Sequence, residues 1–358
     1  MPTQRFPARR WFPLVFPLLF ALVAATPAAA QDRLPSSMLN ASSLTSSQER
    51  EIEAFVSEWN TQLLEGSDSE IAEARQALLQ PVRSSTSDAF LDPYGEAVGE
   101  TLSTALEARR LITRLNAMIV AGELGGRGVR GVIVKGLGDP SPAVNYWAAS
   151  GVVKLAEARA RGARIPTRAV RDVLDSLDQM LEARQASNPL LYPTLQAAVV
   201  LNVPEGDTLF LDTLASRIEL HVRQPRLDYG PALETRGWPR LIQRSISEDT
   251  PHNREVLQRS ALIATQTLAV ITRQFEEGQL GDRPPQSHIE MMRWSQRLLA
   301  TVNRALDGPA SAPDTNEVQN AIEDLDANFL RLTASNWIAT LKKPPYGFSA
   351  DELEIPEP

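Results

Sequence analysis

Apolar positions recur at steps of three and four through most of this chain, and no segment alternates with period two, so the pattern predicts helices and no sheet. Ile52, Phe55, Val56, Trp59 and Leu63 form a first stripe. Thr45 or Ser46 caps that helix, with Glu49 three residues after Ser46 completing a capping box. Residues 69–80 predict a second, shorter helix stopped by Pro81. Residues 82–92 read as loop, 93–121 as helix with a break near Asn116, and 127–137 as a short helix burying Val129, Val132, Ile133 and Leu137. Helices over 142–161, 165–184 and 206–221 follow, the middle one striped by Val170, Val173, Leu174, Leu177 and Leu181. The last third predicts three long helices. Leu257, Ala261, Ala264, Leu268, Ile271 and Phe275 line the first, and Met291, Trp294, Leu298, Val302 and Ala305 the second. Asp314 and Glu317 open the third as a capping box. There Val318, Ile322, Leu325, Phe329 and Leu332 alternate steps of four and three, a coiled-coil-like seam. Three long helices with short connections predict an antiparallel bundle.

One corner stands out inside this pattern. Asp139-Pro140-Ser141-Pro142 ends one helix and starts the next: the Asp accepts from free N–H groups of a first turn, and the prolines need no N–H partner there. Val144 follows four residues after Pro140, then Ala148-Ala149 and Gly151 permit close helix approach, then Leu155. A second copy lies 49 residues on, with Asn188-Pro189 and Ala197-Ala198. These corners resemble the HEAT-like repeats of α-solenoids, over residues 127–222 only. The spacing is slightly longer than the roughly 40–47 residues of that class. The resemblance implies a curved stack of antiparallel helix pairs whose concave face binds a partner. The expected fold is therefore all-α: an irregular solenoid over residues 45–225, then a helical bundle over 226–342.

The two ends read differently. Arg5, Arg9 and Arg10 precede an apolar run from Trp11 to Ala25, closed by Thr26-Pro27-Ala28-Ala29-Ala30. That order is a secretory signal cleaved after Ala30, and fifteen apolar residues are short for a bilayer span. Residues 31–44 are Ser-rich and patternless and read as a disordered linker. Residues 343–358 carry four prolines and several acids and read as a disordered acidic tail. Export implies a periplasmic or secreted protein with no stable membrane insertion once the signal is gone. Losing three arginines takes the net charge from −8 to −11, which disfavours nucleic acid as a partner. With no cysteine, disulfides and thiolate metal sites are excluded.

Catalytic signatures are absent. Gly126-Arg127-Gly128-Val129-Arg130-Gly131 is a literal G-x-G-x-x-G, but no strand precedes it, so it reads as a flexible link between helices and no cofactor is expected. The three histidines, His221, His252 and His288, lack metal-ligand neighbours, and His252 and His288 fall in first turns, where exposure is expected. The segment from Arg217 to Arg244 carries six arginines against three acids, interleaved with His221, Tyr229 and Trp238. Guanidinium forks suit carboxylates or phosphates, and aromatic faces suit rings or cations. His221, Tyr229, Arg236, Trp238 and Arg240 are the candidate binding residues. The bland alternative is a subdomain junction whose arginines pair with nearby acids and whose Trp238 is core.

Two functions fit. The first is an exported helical scaffold or binding protein, non-catalytic, whose partner is another protein or an envelope component. It predicts a broad groove or an apolar patch. The second is a polysaccharide-acting enzyme on an α/α toroid, with His221 and Tyr229 moving protons and the arginines neutralising a carboxylate. It requires His221, Tyr229, Arg236 and Trp238 to converge in one open cleft.

Overall fold

The computed structural model describes residues 33–83, 86–162, 165–184, 188–230, 237–310 and 312–355. All regular structure among them is helical. The helices are α1 (Ser36–Leu39), α2 (Ser46–Glu65), α3 (Asp68–Arg83), α4 (Asp88–Ala105), α5 (Leu111–Leu124), α6 (Arg130–Leu137), α7 (Pro142–Ala160), α8 (Thr167–Arg184), α9 (Asn188–Val200) and α10 (Pro204–Arg223). After a loop come α11 (Trp238–Ser247), α12 (Pro251–Glu276), α13 (Gln286–Ala305), α14 (Thr315–Asp324) and α15 (Ala327–Leu341). Residues 1–30, with the expected signal, lie outside the described residues, as does Arg236.

From α2 to α10 each helix packs on the next but one, and most sequence neighbours pack as well. Helices α3, α5, α7 and α9 run in one layer of contacts, and α2, α4, α6, α8 and α10 in the other. Small residues set the closest approach. A Cβ on Gly151 of α7 would stand 2.9 Å from the Cα of Gly122 on α5, so the two backbones touch directly. Helix α12 is the hub of the last third: α10, α11, α13 and α15 all pack on it. Nearly all the described buried apolar residues belong to one cluster, from Leu34 to Leu353.

The Asp139 corner is built by hydrogen bonds. Asp139 Oδ1 accepts the Ser141 N–H at 2.8 Å, and Arg114 Nε donates to Oδ2 at 2.9 Å. The fully buried Asn145 donates Nδ2 to the carbonyls of Gly136, Leu137 and Asp139 at 2.9–3.0 Å. One side chain thus satisfies orphan carbonyls at the end of α6.

Several boundaries differ from the pattern. Thr45 caps α2, but its capping-box partner is Gln48, not Glu49. Pro81 lies inside α3 rather than ending it. The stretch read as loop before residue 92 already contains the start of α4, whose cap is Ser87, with the Phe90 N–H donating to its hydroxyl. The break expected near Asn116 falls instead at 106–110. The flexible G-x-G-x-x-G link is a tightly packed 3-10 turn over Arg127–Val129. Its Gly128 sits so near α4 that a Cβ would lie 2.2 Å from the carbonyl carbon of Gly95.

The third long helix of the expected bundle is two helices. Leu325 adopts the left-handed region at φ 54°, and Asp326 Oδ1 accepts the Phe329 N–H at 3.0 Å to restart the chain as α15. The continuous seam is therefore broken, and Leu332 is 54% exposed. At Asp314 only half of the expected box forms: Oδ1 accepts from the Asn316 and Glu317 N–H groups.

Both expected disordered segments are packed where described. Leu34, Met38 and Leu39 of the linker are buried. The tail folds back across α12: Gln258 Nε2 donates to Pro345 O at 2.6 Å, Tyr346 OH to Asn303 Oδ1 at 3.1 Å, and Leu353 is buried. A few apolar residues in a polar sequence were enough to fix each segment.

Candidate functional site

The loop after α10 is fastened by aromatic rings. The face of α10 carrying Arg217, Ile218 and His221 is turned inward. Tyr229 lies flat on the His221 imidazole, with ring centroids 3.4 Å apart and 9° between planes. His288, on the first turn of α13, meets Tyr229 edge-on at 4.8 Å. His288 is fully buried, not exposed as its first-turn position suggests. Its Nε2 stands 3.1 Å from the Pro225 carbonyl, so a proton on that nitrogen is held by the loop.

Ser287, His288 and Asp228 meet here without forming a nucleophilic triad. The Ser287 hydroxyl donates to Asp228 Oδ1, which takes its only proton, while His288 Nδ1 is 3.4 Å away. The three residues tie the loop to α13.

Trp238 opens α11, where Pro239 needs no N–H partner. Its indole meets the Phe210 edge at 5.0 Å and the Trp294 ring at 5.3 Å, and it is 2% exposed. Arg217, His221, Tyr229 and Trp238 line a common void of about 10 Å³. That is the room of about one water molecule. The structure thus brings His221, Tyr229 and Trp238 together, but inside the core. Arg240 lies on the exposed side of α11 with no ion pair among the described residues, and Arg236 falls outside them.

The outer side of the same tryptophan pair is different. Trp238, Pro239, Ile242 and Ile246 of α11 face Trp294 and Leu298 of α13 across an open groove of about 520 Å³. Gln243, Arg297 and Thr301 supply its polar atoms, and among the described residues no carboxylate lines it. Ile246 is 46% exposed. Arg297 is exposed and makes no ion pair among the described residues. Sequence reading missed this site because Trp294 and Leu298 were assigned wholly to the core stripe of α13. A signal was present: the 238, 242, 246 row carries the apolar face of α11 one turn beyond what the core needs.

An ion cluster holds α11 in place as the groove wall. Asp207, in the first turn of α10, is buried and accepts from Arg244 Nη2 and, at 3.0 Å, interacts with His252 Nε2 of α12. Arg244 Nη1 also donates to Asn202 Oδ1 at 2.5 Å and to Val199 O at 3.3 Å. One carboxylate therefore joins three helices. Nearby, a backbone N–H at the start of α10 holds Glu205 below the usual carboxylate range, with Arg171 at 3.2 Å adding to it.

Among the described residues no group of three His, Asp or Glu side chains is placed to hold a metal ion. No helix among them is long and apolar enough to cross a membrane.

No family model matches this chain, and no curated protein does. Among solved structures, one described as "Crystal Structure of Engineered Protein" is 16% identical over 70% of this chain and 97% of that chain, with a TM-score of 0.36. A likeness at that level carries no argument.

Proposed function

We propose that this chain is an exported, non-catalytic helical binding protein of the HEAT-like type, and that it meets a protein or envelope component through the groove between α11 and α13. The groove itself carries the reading. It is apolar, open and floored by two tryptophans, the residue type most often found at the energetic centre of interfaces. The layered contacts of α2 to α10 and the corner at Asp139 support the repeat-like architecture. The Arg-rich amino end and apolar run of residues 1–30 support export. The polysaccharide-enzyme reading is disfavoured, because the space shared by His221, Tyr229 and Trp238 has no room for a sugar ring.

The test is site-specific photo-crosslinking in the living host, with the photoreactive residue at Ile246 and, as control, at Leu111, which is 45% exposed on α5. A discrete adduct at 246 and none at 111 is the expected result. Identical patterns at both positions, or none, would remove the groove from the interface. Intact-mass measurement of the secreted or periplasmic protein tests export: the chain should begin at Gln31.

A further inference from the structure

We infer that the groove seats about two turns of an amphipathic helix from its protein partner, with an acidic side chain of that helix on Arg297; this rests on the reading just given. The walls are two helix ridges. On α11 the lining residues run from Trp238 to Ile246, and on α13 from Trp294 to Thr301. These nine and eight residues, at a rise of about 1.5 Å per step, give walls about 12 and 10.5 Å long. That matches seven or eight residues of a third helix presenting apolar side chains at steps of three, four and seven, the helix-in-groove mode. The trough is open to solvent rather than enclosed, as a groove that receives a helix face must be.

Charge selects the partner's face. The whole chain carries −8, yet among the described residues Arg297 is the one ionised group lining this groove, and no described side chain neutralises it. A guanidinium beside an apolar trough suits a carboxylate on the occupant. The chain's own apolar run from Trp11 to Ala25 does not suit, because Arg5, Arg9 and Arg10 flank it with the same sign as Arg297.

The probe is a fluorescein-labelled, hydrocarbon-stapled helical peptide with leucines along one face and one glutamate beside them, read by fluorescence anisotropy. Companion peptides carry lysine for that glutamate, or the same residues scrambled so that no face forms. The full mature protein should bind the glutamate peptide about three- to tenfold more tightly than the lysine peptide, the size of a partly exposed ion pair gained against one opposed. Arg297→Glu should invert that preference, and Ile246→Asp should abolish binding of both peptides, with unchanged circular dichroism for each variant. Equal binding of the scrambled peptide would overturn the helix. A preference that survives Arg297→Glu would overturn the role of the arginine. If the stapled peptides fail to bind while 1-anilinonaphthalene-8-sulfonate saturates the groove, a small amphiphile is the occupant and the inference falls. The crosslink at Ile246 reads the broader proposal independently of any of these peptides.

Discussion

Gly128 shows how much a single position decides. Its backbone lies against α4 so closely that any side chain collides with the Gly95 carbonyl group, and backbone cannot swing aside as a flexible side chain can. Gly128→Ala should lower stability by about 1–3 kcal/mol or more, the cost of overpacking, seen as a lower urea midpoint. In the G-x-G-x-x-G string, Gly128 is therefore required by close packing on α4. Asp178 acts in the opposite sense. Burial first, then the neighbouring Glu182, Asp212 and Asp175 carboxylates, push its pKa above the ordinary value of 3.8. An acid whose folded pKa is raised disfavours the folded state once it ionises, so stability falls as pH rises through that window. Asp178→Asn should raise the melting temperature at pH 7 and leave it unchanged at pH 3, where both side chains are neutral.

At the scale of elements, short capping motifs fix segments that carry little apolar area. Ser349 and Glu352 form one in the C-terminal strap: the Ser349 N–H donates to Glu352 Oε2 at 2.9 Å and its hydroxyl at 2.7 Å. These bonds, the backbone one first, hold the Glu352 carboxyl below its usual range. A depressed pKa contributes stability above the unfolded value and loses it as pH falls through the folded one. Amide exchange across residues 346–355 should therefore speed up, relative to α12, on acidification below about pH 4, after allowance for intrinsic rates, following the model carboxylate range. Glu352→Gln should remove most of that pH dependence. A capping carboxylate also acts at Asp326, which restarts the chain after the left-handed Leu325. Asp326→Ala should cost about 1 kcal/mol, the usual worth of such a cap, measured by denaturant unfolding.

For the whole molecule, the informative position is Asp207, where α10, α11 and α12 meet. Asp207→Asn keeps the shape and removes the charge that receives Arg244 and faces His252. Loss of charge-assisted hydrogen bonds of this kind should cost about 2–3 kcal/mol. Because Arg244 is on α11, the change should also increase the mobility of the groove wall, read as faster amide exchange in residues 238–247 than in α7.

What was legible in the sequence is what short-range physics controls. A stripe at steps of three and four is a property of a few consecutive turns, so α2, α8, α12 and α13 follow from it within a few residues. So does the Asp139 corner, whose prolines and carboxylate act on their own neighbours. Only the tertiary structure decided which polar and aromatic groups lie inside. His221, Tyr229 and Trp238 were visible as a cluster, but their burial depends on α12 and α13 closing over them. His288 looked like a surface residue of a first turn until the loop at Pro225 covered it. The groove depends on α11 and α13 standing on either side of α12, far apart in sequence. Helices form from local hydrogen bonds, whereas burial and concavity arise from distant segments sharing one core, which no local window contains.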